Sequence, residues 1–245
     1  MKCALITGAS RGIGRAAAFR LAADGGYPLL CLTACRNEEL LRSLASEIRE
    51  KYPEQSVLYN IGDIGDTDYV SGLADELHHA GGNVSLLINN AGIADYGLLA
   101  DLAPADWDRI IRTDLTGLYN TCRAFQPDLL KAEEGRIINI SSVWGAVGAS
   151  CEVAYSAAKG GVEAFTRALA KELAPSHVSV NCLQPGAVET DMNHHLDNSE
   201  KEALKEEIPF GRFAAPEEAA EALLLLSKMP LYVTGATLRM DGGWI

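Results

Sequence analysis

The stretch "CALITGASRGIG", Cys3 to Gly14, sets a short apolar run directly against a turn with glycines at 8, 12 and 14, and a segment of helical period follows. A buried strand that ends in such a turn and feeds a helix is the opening unit of a parallel α/β sheet. Glycine permits a tight turn and lets backbone come close to a pyrophosphate, while free N–H groups and the positive helix end favour the anion. The spacing is GxxxGxG and differs from the GxGxxG dinucleotide pattern. Its place after the first strand is what lifts it above an ordinary strand-to-helix connection.

Outward from this unit, branched apolar runs alternate with longer segments of helical period, the pattern that buries a parallel sheet beneath helices on both faces. Strands are expected near 2–7, 28–34, 56–61, 84–89, 135–141, 177–183 and 236–240, and helices over 12–24, 38–51, 66–79, 104–131, 153–173 and 216–227. Several helices open on Asp, Ser or Pro and close near Gly or Pro. The expectation is one doubly wound α/β domain, 1–245, with a seven-stranded, mainly parallel sheet. The polar segment 187–213 breaks the alternation beyond a strand's carboxyl end, where long excursions act as lids over a ligand crevice.

A chain of 245 residues, 48% hydrophobic and 22% charged, can bury a full core without a metal or disulfide staple. Its formal charge of -12 handicaps nucleic acid and anionic membrane surfaces as partners, because both reward Lys and Arg. Cysteines at 3, 31, 35, 122, 151 and 182 form no CxxC pair or Cys/His ligand spacing, so no metal site is expected. They read as reduced, buried thiols of a cytoplasmic protein. The first apolar run is too short for a signal-peptide core, and no window of about 18 apolar residues reads as a membrane span.

The end of the second expected strand, "LTACRNEE", bears on which nucleotide the glycine turn would suit. An acid there would hold a ribose 2'-hydroxyl and repel a 2'-phosphate; Arg36, after Cys35, can pair with that phosphate through its planar fork. Arg11 in the turn offers a second cation. NADP(H) is therefore expected over NAD(H).

Further motifs follow in order: "TGASRGIG" at 7–14, "GDI" at 62–64, "NNAG" at 89–92, Ser142, "YSAAK" at 155–159, "PGAVETDM" at 185–192 and "VTGATLRMDGG" at 233–243. On these the chain resembles the short-chain dehydrogenase/reductase family over essentially its whole length. The resemblance implies a Rossmann-type fold with an NADP(H) site. Gly8, Ser10, Arg11, Gly12, Ile13 and Gly14 would form its turn, Arg36 its phosphate contact, and Asp63 and Ile64 would flank the adenine. Asn90, Ala91 and Gly92 would support the crevice, and Pro185, Gly186, Val188 and Thr190 would meet the nicotinamide end. Tyr155 borders the cofactor, and Lys159 holds the nicotinamide ribose.

The residues also suit the chemistry. Reducing a ketone by hydride leaves negative charge on its oxygen, which needs a proton donor and a hydrogen bond. Tyr155 can give the proton and Ser142 the hydrogen bond. An ordinary phenol pKa of ~10 matches this work poorly, and Lys159, one helical turn on, is expected to lower it. One position departs from the family: "RTDLTG" has Asp114 where an Asn usually connects a water chain to the lysine. An ionised carboxylate cannot donate as the amide does, and it raises the lysine pKa and offsets the lysine's field at Tyr155. A retained but altered proton relay is expected.

Three functions stay open. Length, "IPFGRFAAPEEAA" and "RMDGGW" most resemble 3-oxoacyl-ACP reductases, which implies a homo-oligomer, tetramer or dimer. Against this, Lys131 is followed by Glu133 and Glu134, and His177 alone marks the second docking region, so steering toward an acidic carrier is weak. The loop "SSVWGAVGASCEVAYS" is similar to that of elongation factor P 5-aminopentanone reductases, whose protein-linked ketone ends in an amine. Glu152 could pair with that cation and Trp144 could line its approach, though Glu152 equally suits a solvated acid at a helix N-terminus. A non-catalytic NADP(H)-binding sensor is the third reading.

Overall fold

The computed structural model describes residues 1–193 and 196–245; His194 and His195, in the expected lid, lie outside the described residues. Strand β1 (Lys2–Ile6) sends Cys3 and Leu5 into one core and Ala4 and Ile6 into the other, so its period of two fills both sheet faces at once. This is why the run is continuously apolar. Strands β2 (Leu29–Ala34), β3 (Ser56–Ile61), β4 (Asn83–Asn89), β5 (Arg136–Ile140), β6 (Ser179–Pro185) and β7 (Thr237–Met240) complete the sheet in the order β3-β2-β1-β4-β5-β6-β7. Every pairing is parallel; Leu5 sits opposite Cys31 of β2 and Leu87 of β4.

Helices α1 (Gly12–Asp24), α2 (Glu38–Lys51), α3 (Thr67–His79), α4 (Pro104–Ile111), α5 (Gly117–Lys131), α6 (Val143–Val147), α7 (Val153–Leu173), α8 (Asn198–Glu207) and α9 (Pro216–Lys228) join the strands. One face of the sheet is covered by α1, α2 and α9 through Leu21, Leu44, Ile48 and Leu223. On the other, α3, α5 and α7 contribute Leu73, Leu77, Phe125 and Val162. The strand order reverses between β1 and β4, which opens a crevice beyond their carboxyl ends.

Three local readings are corrected. The single helix expected over 104–131 is interrupted at Arg112–Thr116 by a wide turn in which the Gly117 N–H donates to Arg112 O, five residues back. The strand expected at 177–183 begins instead at Ser179, because the chain is still turning at His177, where φ is 58°. Of the six cysteines, Cys35 is exposed and Cys151 only half-buried, since each falls in a loop between regular elements. Segment 187–213 leaves and returns through one parallel bridge, Val188 to Ala214, and carries α8 behind an Asp197–Glu200 capping box. Among the described residues no helix is long and apolar enough to cross a membrane.

Phe125 fills the α5 side of the core with no solvent exposure. Phe125→Ala is expected to destabilise the fold by about 3–5 kcal/mol, measured from the midpoint of urea unfolding.

Candidate active site

The two loops at the reversal are tied to each other before any ligand is considered. Asn90 N and Ala91 N both donate to Thr7 Oγ1 at 3.0 Å, and Asn90 Nδ2 donates to Thr7 O at 2.9 Å and Gly8 O at 3.0 Å. Gly8 has φ +65°, and a Cβ there would stand 2.7 Å from Ala91 Cα. At Gly14 a Cβ would stand 2.4 Å from Gly8 O. Only glycine fits this knot. The N-terminus of α1 above it receives no side-chain cap, so its first N–H groups face a crevice of about 1160 Å³. A cradle of this kind fits a dinucleotide pyrophosphate.

Gly8, Ser10, Arg11, Gly12, Ile13, Arg36, Asp63, Ile64, Asn90, Ala91, Gly92, Pro185, Gly186, Val188 and Thr190 all line that one crevice, while Gly14 supports it from behind. The expected convergence of two cations is altered: Arg11 pairs with Asp191 at 3.1 Å, across to segment 187–213, whereas Arg36 is exposed at the end of β2. Asp63 turns its carboxylate to Gly65 N at 2.8 Å and to Arg112 at 3.5 Å. Thr190 reaches back to the glycine turn, its Cγ2 3.2 Å from the position a Cβ on Gly12 would take.

At the other end of the crevice, β5 and α7 bring Ser142, Tyr155 and Lys159 together. Ser142 caps α6 by accepting the Trp144 N–H at 3.2 Å, and it lines the same crevice as Tyr155 and Lys159. Lys159 Nζ lies 5.4 Å from the centre of the Tyr155 ring and donates to Ile140 O at 3.1 Å. Asp114, on the wide turn, places Oδ2 3.2 Å from Lys159 Nζ and accepts the Ile93 N–H at 2.8 Å through Oδ1. The Lys159 contact is a charge contact off the hydrogen-bond axis, and Oδ2 has no hydrogen-bond partner among the described residues. Trp144 and Glu152 also line this end.

Burial dominates the electrostatics. It pushes the Tyr155 phenol above its ordinary value; Lys159 pulls it down, Asp114 pushes it up again, and Ser142 pulls it down. The expected lowering by Lys159 and the expected opposition by Asp114 are both present, and burial, the largest cause, leaves the phenol raised. Burial pulls the Lys159 ammonium down, yet Asp114 and Tyr155 hold it above the usual lysine value. Asp114 is itself raised by burial, against the pull of Lys159.

The sequence profile of the family described as "short chain dehydrogenase" matches residues 2–201. The chain belongs to the short-chain dehydrogenase family. It is 37% identical over 243 residues to the 3-oxoacyl-[acyl-carrier-protein] reductase FabG of Aquifex aeolicus, covering 99% of this chain and 96% of that one. It is also 37% identical over 244 residues to the uncharacterized oxidoreductase YmfI of Bacillus subtilis, covering 99% and 98%. Among solved structures, a dehydrogenase/reductase from Sinorhizobium meliloti superposes with a TM-score of 0.91 at 31% identity, covering 99% of this chain and 94% of that one. As a short-chain dehydrogenase the chain is an oxidoreductase acting on CH–OH and C=O groups.

Two groups of this short-chain dehydrogenase site escape a sequence reading. Trp244 packs its ring edge on Trp144, centroids 4.8 Å apart, and nothing in "DGGWI" announces that contact. Glu163 lies buried on α7, and here a signal existed: it stands four residues after Lys159 and eight after Tyr155, on the same helical face.

Because the Asp114 charge opposes the phenolate, removing it stabilises that form. Asp114→Asn is expected to move Tyr155 ionisation to lower pH, read by ultraviolet difference titration against Tyr155→Phe. An unmoved titration would show that the Asp114 field does not reach the phenol.

Proposed function

We propose that the chain is an NADPH-dependent carbonyl reductase acting on 3-oxoacyl groups carried on an acyl carrier protein. The observation that carries this is the gathering of Ser142, Tyr155 and Lys159 in the same crevice as the glycine turn and Arg36, with Lys159 Nζ 5.4 Å from the Tyr155 ring centre. Near full-length similarity to FabG supports the substrate class. The turn formed by Gly8, Ser10, Gly12 and Ile13 would hold the pyrophosphate and Arg36 the 2'-phosphate, with Asp63 and Ile64 beside the adenine. Asn90, Ala91, Gly92, Pro185, Gly186, Val188 and Thr190 would frame the nicotinamide end, and segment 187–213 would serve as the lid.

NADPH, when bound, supplies the hydride for the carbonyl carbon. Tyr155 gives its phenolic proton to the oxygen as charge develops there. Ser142, whose oxygen is already occupied by the Trp144 N–H, has its own proton free to share between Tyr155 and that oxygen. The Lys159 ammonium stabilises the phenolate left behind, and Asp114 keeps Lys159 charged at the cost of part of its field at Tyr155. The proton then returns to Tyr155 by a relay that includes Asp114, whose Oδ2 is free to accept a hydrogen bond.

A second reading rests on Glu152. Burial lifts its carboxylate above the usual range, it lines the crevice beside Tyr155, and no cation pairs with it among the described residues. Such a group would favour a ketone that ends in an amine, as in a 5-aminopentanone reductase of elongation factor P.

NADPH oxidation with a 3-oxoacyl carrier thioester, compared with aminopentanone-modified elongation factor P, separates the two. The first reading expects the thioester to be preferred by about tenfold or more in kcat/KM, and reversal of that order would favour the second. Tyr155→Phe is expected to lower turnover by at least ~100-fold while leaving NADPH affinity within about threefold; unchanged turnover would overturn both. Arg36→Ala is expected to lower kcat/KM for NADPH by roughly 10- to 100-fold, and much less for NADH.

A further inference from the structure

Glu163 is a buried carboxylate that the proposed chemistry does not use. Its Oε1 lies 3.0 Å from Ser141 Oγ and accepts Gln184 Nε2 at 2.5 Å, while Oε2 stands 3.7 Å from Arg167. Ser141 Oγ is equally close to Lys159 O, at 3.0 Å, but a hydroxyl has one proton. Lys159 O already accepts the helical N–H of Glu163, and a charged acceptor is the stronger one. The Ser141 proton therefore goes to Glu163.

This bond sits at the junction of the segments that carry the chemistry. The backbone of α6 rests on it: a Cβ on Gly145 would stand 2.7 Å from Ser141 Oγ and 2.9 Å from Lys159 O. Ser142, the next residue, is the N-cap of that helix and lines the crevice together with Tyr155. A second path closes on the same helix. Gln184 Oε1 accepts Arg239 Nε at 3.0 Å, Arg239 donates to Ile245 O, and the neighbouring Trp244 packs on Trp144 of α6. Ser141, against Gly145, and Trp244, against Trp144, thus both contact α6.

We propose that Glu163 is a positioning residue: it anchors Ser141 and thereby aims the Ser142 hydroxyl at Tyr155. This rests on the reading of Ser142 and Tyr155 as the reacting pair. Loss of a carboxylate that only stabilised the fold would lower the melting temperature without changing turnover per intact site. Glu163→Leu and Ser141→Ala each remove the bond, and Glu163→Gln keeps an acceptor oxygen for it.

The test is steady-state NADPH oxidation with acetoacetyl-CoA, normalised to sites counted by NADPH binding. Glu163→Leu and Ser141→Ala are each expected to lower kcat by about tenfold or more with KM for NADPH within about twofold. The double variant should be no slower than the worse single one, because both remove the same interaction. Glu163→Gln should recover kcat to within about threefold of wild type. Wild-type kcat per site in Glu163→Leu, or losses that multiply in the double variant, would overturn the role. If Glu163→Leu does not fold, Ser141→Ala and Glu163→Gln carry the same comparison.

A second readout needs no ketone. Ser141→Ala should raise the pH of Tyr155 ionisation in the same direction as Ser142→Ala, since on this proposal both take the Ser142 hydroxyl away as a donor to the phenolate. A titration that moves in Ser142→Ala but not in Ser141→Ala would refute the positioning role even if wild type reduced no ketone supplied. Failure of wild type to turn over, with both titrations moving together, would count against the substrate reading and leave the positioning role standing.

Discussion

A parallel sheet buried on both faces leaves chemistry almost no room along its strands. Leu5, Ile6, Leu87 and Ile88 fill opposite cores, so the polar groups able to act must gather where β1, β4, β5 and β6 run out. At β1 and β4 the gap is held open by four hydrogen bonds among Thr7, Gly8, Asn90 and Ala91. The glycine turn, the wide turn with Asp114, and Ser142 with Tyr155 all take their places around that knot.

The same burial sets the electrostatic character of the site. Lys159 and Asp114 sit together out of solvent, so neither charge is sustained without the other, and Tyr155 feels both. An Asn at position 114 would leave the lysine field unopposed. With Asp114, the phenol is governed by a balance between burial, one cation and one anion.

Much of this was legible in the linear chain. Gly8 and Gly14 announce a turn because no other residue fits the contacts they make, and Ser142, Tyr155 and Lys159 lie on segments whose type is plain from their periodicity. Other features were hidden for physical reasons. The wide turn at Arg112–Thr116 inserts one extra residue in a helical pattern without altering its composition. Arg11 reads as a free cation until the chain brings Asp191, 180 residues away, to 3.1 Å. The net rise of the Tyr155 pKa depends on its burial, which a spacing of four residues from Lys159 does not report.

By itself, the sequence determined the doubly wound sheet, the glycine turn and the three residues of the expected reaction, because strand and helix period and local steric limits act between near neighbours. Tertiary structure alone decided how those residues are held: Asp114 against Lys159, Glu163 against Ser141 and Gln184, and Trp244 against Trp144. Hydrogen bonds and charge coupling act over a few ångströms of space, and only the closed sheet brings residues so far apart in the chain within that range.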